Sequence, residues 1–454
     1  MRFFRPGFML VLVFLSVSVF SQQKYDTPLK VDKRQNRKGW FIFPLPIVSY
    51  NSDIGLKIGG MVNLYDYGKG KVYPDYKHLI YLQATYSSKN SGVFRIMYDS
   101  DKLLKINGKP LRVTAEVNYS IDGGLNFYGF NGYESNFGKK YIDPHSPAYI
   151  TRLYYKINRK LLNLYLSLQG NIAKEKLRWF LGFTSLNYNI KKAQRNKLSI
   201  KEKHLPDTTT LYEDYVKYGL IRESEAKGGL INFINVGLVF DNRDIKANAN
   251  KGFWDEIILY SNPAFFTDKS YKFISLSAIH RQYITLIKKK LTFAYRLGAK
   301  MLLAGRQPFF FTSYMVSSFT AGEDHDGLGG ATTLRGVNRN RIMANGTAYG
   351  NFCFRYKFWK FGFMGNPSYL ALNAFMDIGQ SIQDFPTEAT IKQIMEKDYP
   401  GRYFYKSSDK PHISFGGGVH FAMSENFVLK INAGRSINPQ DGPGSIYFTT
   451  DWIF

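Results

Sequence analysis

Fifteen residues, Leu328 to Ile342, read LGGATTLRGVNRNRI and hold the groups best suited to a specific contact. Glycines bracket the tripeptide Leu334-Arg335-Gly336, and further cations and amides follow at once. An arginine presents a planar fork of donors that a carboxylate accepts at two points. Gly336 lets the backbone turn where a Cβ would clash. The chemistry on offer is ion pairing. Just upstream, Glu323-Asp324-His325-Asp326 mixes donors that could hold a hard cation, although such a run is more often a solvated loop tip. No Gly-x-Ser-x-Gly elbow and no His-Glu-x-x-His occurs, and no Ser-His pair stands at one depth on neighbouring strands. Neither catalysis nor a cofactor is expected.

The elements that position this stretch depend on where the chain resides. Arg2 and Arg5 precede an apolar run from Gly7 to Phe20, and Val19 and Ser21 stand at −3 and −1 of a small-residue cleavage site. Residues 1–21 therefore read as a secretory signal, because the run is too short for the ~20 residues of a helical span. No later stretch is long and apolar enough to span as a helix, yet the chain carries 33 Tyr and 37 Phe, a load suited to the aromatic girdles of a membrane barrel. The single cysteine, Cys353, excludes an intramolecular disulfide. Net charge is +26, and for an exported chain this points to lipid phosphates and anionic polysaccharide, the lipids and lipopolysaccharide of an outer membrane, and away from nucleic acid.

Alternation of period two fills most of the length. Leu111, Val113, Ala115, Val117, Tyr119 and Ile121 share one face, against Arg112, Thr114, Glu116, Asn118 and Ser120. Residues 161–173 and 369–379 repeat the pattern, and the latter places Asp377 on the polar face. Large charged groups on the polar faces favour a wet lumen, and backbone groups in lipid demand closure. The fold class expected is an all-β transmembrane antiparallel barrel of about 16 strands. They lie near 41–50, 54–67, 77–88, 93–101, 110–121, 149–172, 177–190, 228–241, 253–261, 270–283, 290–303, 346–358, 367–379, 411–422, 426–436 and 445–454. The run 149–172 could be one strand or two. With both termini periplasmic the count is even, so it is taken as one. The outer loops are then 122–147, 191–227, 304–345 and 380–410, the last with a short helix at 387–397. The organisation is a signal at 1–21, a basic periplasmic leader at 22–40 that could touch anionic headgroups or an acidic partner, and a barrel over 41–454.

Leu334-Arg335-Gly336 in the sixth outer loop resembles the signature of the BamA/TamA superfamily of outer-membrane insertion and secretion barrels. There the loop folds into the lumen and its arginine pairs with the aspartate of a Phe-x-Asp-x-Gly wall motif, which matches Phe375, Asp377 and Gly379. The segment GLVFDNRD at 237–244 followed by Gly252, and TAYGNFCFRYKF at 347–358 with Asn351 and Arg355 on the inner wall, are similar to further family segments. So is the end of the chain, where Phe448, Trp452 and Phe454 would form the aromatic assembly signal. The chain departs from the family in three places. Cys353 stands where an acid is frequent, Val337 where an aromatic is, and 22–40 is too short for POTRA domains.

The resemblance implies an assembly or translocation barrel plugged by the 304–345 loop through Arg335 and Asp377, served by a separate periplasmic or outer-membrane partner and built by the outer-membrane assembly machinery. A passive pore or structural barrel is the alternative. Pro44 and Pro46 in the first strand lack donors on one edge, which predicts a weak seam between first and last strands.

Overall fold

The computed structural model describes residues 38–450 apart from 52–53, 71, 73–75, 174–175, 195–207, 247, 264–270, 319–321, 364–365 and 424–426. The readings of 1–37, Trp452 and Phe454 lie outside the described residues. The wall is one antiparallel sheet of sixteen strands. They are β1 (Trp40–Asn51), β2 (Gly55–Asp66), β3 (His78–Ser87), β4 (Ser91–Ile106), β5 (Lys109–Asn126), β6 (Lys156–Ala173), β7 (Leu177–Lys192), β8 (Gly228–Asp241), β9 (Gly252–Asn262), β10 (Phe273–Ile287), β11 (Leu291–Gly305), β14 (Gly346–Phe363), β15 (Asn366–Gln383), β16 (His412–Met423), β17 (Phe427–Ser436) and β18 (Ser445–Thr450). A hairpin, β12 (Met315–Ser318) with β13 (Gly322–Asp324), stands apart from the wall, so β11 pairs directly with β14.

Burial is inside out relative to a soluble protein. On β15, Met376 is 46% exposed while its neighbour Asp377 is 0% exposed. Ile96, Val117, Leu166, Val236, Ile257 and Leu372 are likewise exposed, and Asn163, Thr184, Asn235, Glu256, Arg296 and Asn351 are buried. Alternation with apolar residues outward and polar residues inward is what a strand needs between lipid and lumen. Turn chemistry fixes the register. Asn107 and Gly108 both have positive φ (51° and 75°) and join Ile106 to Lys109, the mirror-image turn whose twist matches a two-residue hairpin.

The long connections, 127–155, 193–227, 306–345 and 384–411, all leave the same end of the sheet, because each follows an upward strand. They pack on one another in an aromatic cluster that includes Phe127, Phe130, Tyr154, Tyr215, Phe309 and Tyr403. Helix α1 (Leu211–Lys217) starts there on a capping box between Thr210 and Glu213. Helix α2 (Ala389–Asp398) occupies the stretch where a short helix is expected. The run 149–172 contains one strand, which begins only at Lys156. Residues 152–155 are turn, and buried Tyr154 and Tyr155 hold them in the aromatic cap.

Candidate functional site: the loop against the inner wall

Residues 328–342 close on themselves before they touch the wall. Leu328 and Ile342 exchange backbone bonds of 3.0 Å in each direction, and Gly330 N–H donates to Val337 at 3.0 Å. The Thr333 hydroxyl accepts from Gly329 N–H at 2.9 Å. This folding buries Leu328, Leu334, Val337 and Ile342 against Tyr349 of β14, so the ring of this cluster comes from the wall and Val337 packs beside it.

The turn aims Arg335 at β15. Its Nε donates to Asp377 Oδ2 and its Nη2 to Oδ1, each at 2.8 Å, and its own backbone N–H donates to Oδ2 at 2.9 Å. The Arg335 guanidinium lies 3.5 Å from the centre of the Phe375 ring. Arg335 is 2% exposed and Asp377 0%, so the carboxylate takes three donors away from bulk water. Gly336 has φ +91°, and a Cβ there would come within 2.4 Å of Arg435 N. Its N–H donates to the Tyr447 hydroxyl of β18 at 2.9 Å. At Gly379 a Cβ would stand 2.8 Å from Leu334 Cδ1, so this wall glycine makes room for that leucine. Asn351 Nδ2 donates to Thr333 O at 2.5 Å and its Oδ1 accepts from Arg296 Nε at 2.9 Å. Arg355 lies apart from the fork, buried with its guanidinium 5.8 Å from the Tyr283 ring.

Two further arginines of the same stretch are also engaged. Arg339 bridges Asp122 of β5 at 2.8 Å and Asp326 at 2.6 Å, and Arg159 of β6 reaches the same two carboxylates at 2.8 Å each. Arg341 donates to three backbone carbonyls, Gly132 at 2.8 Å, Gln440 at 2.9 Å and Ser135 at 3.0 Å. β5 and β15 are the fifth and thirteenth of the sixteen wall strands, half the circumference apart. One short segment is thus pinned to opposite sides of the sheet and to the cap.

Asp326 is neither a solvated loop tip nor a cation ligand, since both its oxygens face arginine. Burial opposes its charge, but Arg339 and Arg159 outweigh that and hold its carboxyl well below the usual range. Burial and Arg159 together push His325 down to about 3, so it is neutral at physiological pH. Sequence reasoning missed Arg339, Arg341, Asp122 and Arg159. The available signal was the spacing of three arginines within seven residues, which three separate acceptors can satisfy.

From the other end, the turn 242–251 reaches the floor below Arg335. Asn248 and the Tyr369 hydroxyl of β15 exchange two hydrogen bonds, of 2.7 and 3.0 Å. Ala249 packs with Tyr283, Ala294, Cys353 and Phe375, so it shares Phe375 with the Arg335 site. Asp241 and Arg243 at the root of this turn form a two-point pair at 2.8 and 2.9 Å, and the Arg243 guanidinium lies 4.0 Å from the Trp254 ring.

At the ends of the sheet, β1 and β18 touch, but no ladder pair joins them among the described residues. β1 pairs with β2 without interruption from Trp40 to Asn51, Pro44 facing Val62 and Pro46 facing Gly60. Antiparallel pairs alternate between those that exchange N–H···O bonds and those that do not. A proline fits an unbroken ladder only in the second kind, so the two missing donors fall on the edge toward β18. Phe448 is exposed on β18.

No protein-family model and no curated protein sequence matches the chain. Solved structures do. BamA from Haemophilus ducreyi lacking POTRA domains 1–3 superposes with TM-score 0.53 at 13% identity, covering 91% of this chain and 70% of that one. CdiB from Escherichia coli gives TM-score 0.50 at 10% identity, covering 90% of this chain and 61% of that one, so this chain spans less than two thirds of CdiB. With its sixteen-strand antiparallel wall and inverted burial, this chain has the fold of the BamA-type outer-membrane β-barrels.

Proposed function

We propose that the chain is an outer-membrane assembly or translocation barrel whose lumen is held shut by the 304–345 loop and whose exchange with lipid occurs at the β1–β18 seam. The observation that carries this is a contrast in fastening. The loop is tied through Arg335 to β15 and through Arg339 to β5, whereas among the described residues the seam has no ladder pairs and β1 brings to it two prolines without donors. A barrel closed along its axis and weak along one side favours lateral over axial passage, and this disfavours the passive pore. Leu334, Gly336, Phe375 and Gly379 shape the lock, Asn351 supports it, and catalysis plays no part. Lipid and lipopolysaccharide surround the barrel, and client segments reach the seam with help from a periplasmic or outer-membrane partner.

The test is a disulfide tether between a cysteine on β1 and one on β18, with Cys353 replaced by serine. Oxidation is expected to abolish cellular function and reduction to restore it. A fully crosslinked barrel that still functions, together with large steady single-channel currents, would establish the pore.

A further inference from the structure

A lipid-facing strand surface should be apolar, and β9, β10 and β11 break that rule in one place. Asp255 of β9, His280 and Gln282 of β10 and Tyr295 of β11 all point outward, since their chain neighbours Glu256, Arg281 and Arg296 are buried in the lumen. The same outer face carries exposed Ile257 and Leu259 toward the loop end and exposed Ile284 and Leu286 toward the turn end. The four polar groups therefore stand inside the apolar band and not at its rim. On β15, by contrast, the outward series from Leu370 to Ile378 is apolar throughout.

Register brings the four together. Asp255 is paired with His280 across β9–β10, and Gln282 with Tyr295 across β10–β11. His280 Nδ1 lies 2.5 Å from Asp255 Oδ1, and its Nε2 lies 3.3 Å from the Tyr295 hydroxyl. That hydroxyl donates to Gln282 Oε1. The chain of bonds is open at both ends. Among the described residues, Asp255 Oδ2 and the Gln282 amide N–H groups have no hydrogen-bond partner, and the Asp255 and His280 side chains are 32% and 31% exposed. One step toward the loop end, Ala278 of β10 faces Ala299 of β11, so the surface beside the polar groups is low.

Groups that can still donate and accept are costly against hydrocarbon. An acyl chain satisfies neither, and an ionised phosphate would offer only acceptors and meet a carboxylate. A second copy of the chain offers both. Two copies with the same orientation in one membrane are related by a two-fold axis along its normal, which sets each residue against one at equal depth. We propose that the outer face of β9–β11 is a dimer interface for a second copy of this chain, fastened by two symmetry-related bonds from Gln282 Nε2 of one copy to Asp255 Oδ2 of the other. Ala278 and Ala299 let the two walls approach, as small residues do between membrane-embedded elements. These strands are the ninth to eleventh of sixteen, nearly opposite the β1–β18 junction, so both seams of the dimer stay turned to lipid. The proposal goes beyond the assembly role and stands whether or not the seam opens.

Single-molecule photobleaching counts the copies. The full chain carries Cys353→Ser and one dye on Lys140→Cys in the cap, and is highly diluted in a phosphatidylcholine bilayer. Most spots are expected to bleach in two steps. Asp255→Leu, His280→Leu and Gln282→Leu together suit lipid better than the residues they replace, so the barrel should keep its folded migration on heat-modifiability gels. Association should weaken by on the order of tenfold or more, and single steps should prevail. A second measurement needs no change to the polar groups. In outer membranes, oxidation should link Ala278→Cys into a dimer and leave Met376→Cys on the outer face of β15 unlinked, each with Cys353→Ser. Single-step bleaching without the leucines, two-step bleaching that survives them, or equal linking at the two cysteine positions would overturn the proposal.

Discussion

The β14–β15 hairpin and the β1–β18 junction are both neighbours in the same wall, yet they are fastened in opposite ways. β14 and β15 are paired from Gly346–Gln383 to Phe363–Asn366, and the loop adds Arg335 on Asp377 and Thr333 on Asn351. At the junction, β18 spans only Ser445–Thr450 among the described residues and β1 carries two prolines on the facing edge. Its one described fastening from the loop is the Gly336 N–H on Tyr447. The difference teaches that this barrel concentrates its redundancy where the loop meets the wall. The β1–β18 junction has little of it among the described residues.

Breaking the strong side should have the largest effect. Arg335→Ala leaves Asp377 buried with one donor of three, and removing one partner of a buried pair costs about 3–5 kcal/mol. Single-channel recordings should show larger and longer openings than the unsubstituted chain, and cells should become sensitive to bulky antibiotics. Arg335→Lys should recover only part, since an ammonium lacks the two-point fork. Unchanged conductance in Arg335→Ala would remove the contrast altogether.

Strengthening the weak side is the converse. Pro44→Val with Pro46→Val restores two donors on the edge toward β18. At roughly 1 kcal/mol for each bond gained, the double variant should unfold at higher temperature on heat-modifiability gels while losing cellular function. A gain in stability with function intact would mean that the seam stays closed during work.

Much of this contrast was legible in the chain. Strand positions follow from alternation, and Asp377 falls on the lumen face by parity alone. The Leu-Arg-Gly and Phe-x-Asp-x-Gly resemblance named the two partners that the structure brings within 2.8 Å. What escaped is the long-range part. Asp326 pairs with Arg159 from a strand 167 residues away, and Arg341 ends on carbonyls more than two hundred residues back. Backbone acceptors carry no sequence signature, and loops paired through the lumen have no period. The start of β6 at Lys156 was hidden for a related reason, because Tyr154 and Tyr155 look like strand residues and are held by the aromatic cap instead.

A smaller effect is expected in the cap, and it depends on pH. Asp409 and Asp441 flank His412, at 3.0 and 2.5 Å, with Tyr133 and Arg341 also facing Asp441. Burial opposes the charge of both carboxyls, but the hydrogen bonds from His412 outweigh it and hold each below its ordinary value of about 3.9. A depressed carboxyl contributes stability that is present above its unfolded value and lost as pH falls through its folded one. The cap loops should therefore resist limited proteolysis at pH 7 and 5 and become cleavable only below about 4, while the wall remains intact. Cleavage that begins near pH 6 would show that other groups govern the cap.

The smallest effect concerns the floor below the Arg335 site, and it asks whether the inner turn belongs to the strong side of the comparison. Asn248 exchanges two hydrogen bonds with Tyr369, and Ala249 belongs to the same buried cluster as Phe375, whose ring the Arg335 guanidinium covers. If turn and loop act as one unit, Asn248→Ala and Tyr369→Phe should each destabilise the barrel by about 1 kcal/mol, and the double variant by no more than either alone, because the same bonds are lost. Combining Asn248→Ala with Arg335→Ala separates two pictures. A shared unit gives a double effect smaller than the sum, since loss of the guanidinium already frees Phe375. Independent fastenings give simple addition, within the roughly 0.5 kcal/mol expected of sites without common partners. Urea titrations of the unsubstituted protein, the three single variants and the two double variants in detergent measure both quantities, and strict addition would confine the fastening to the loop alone.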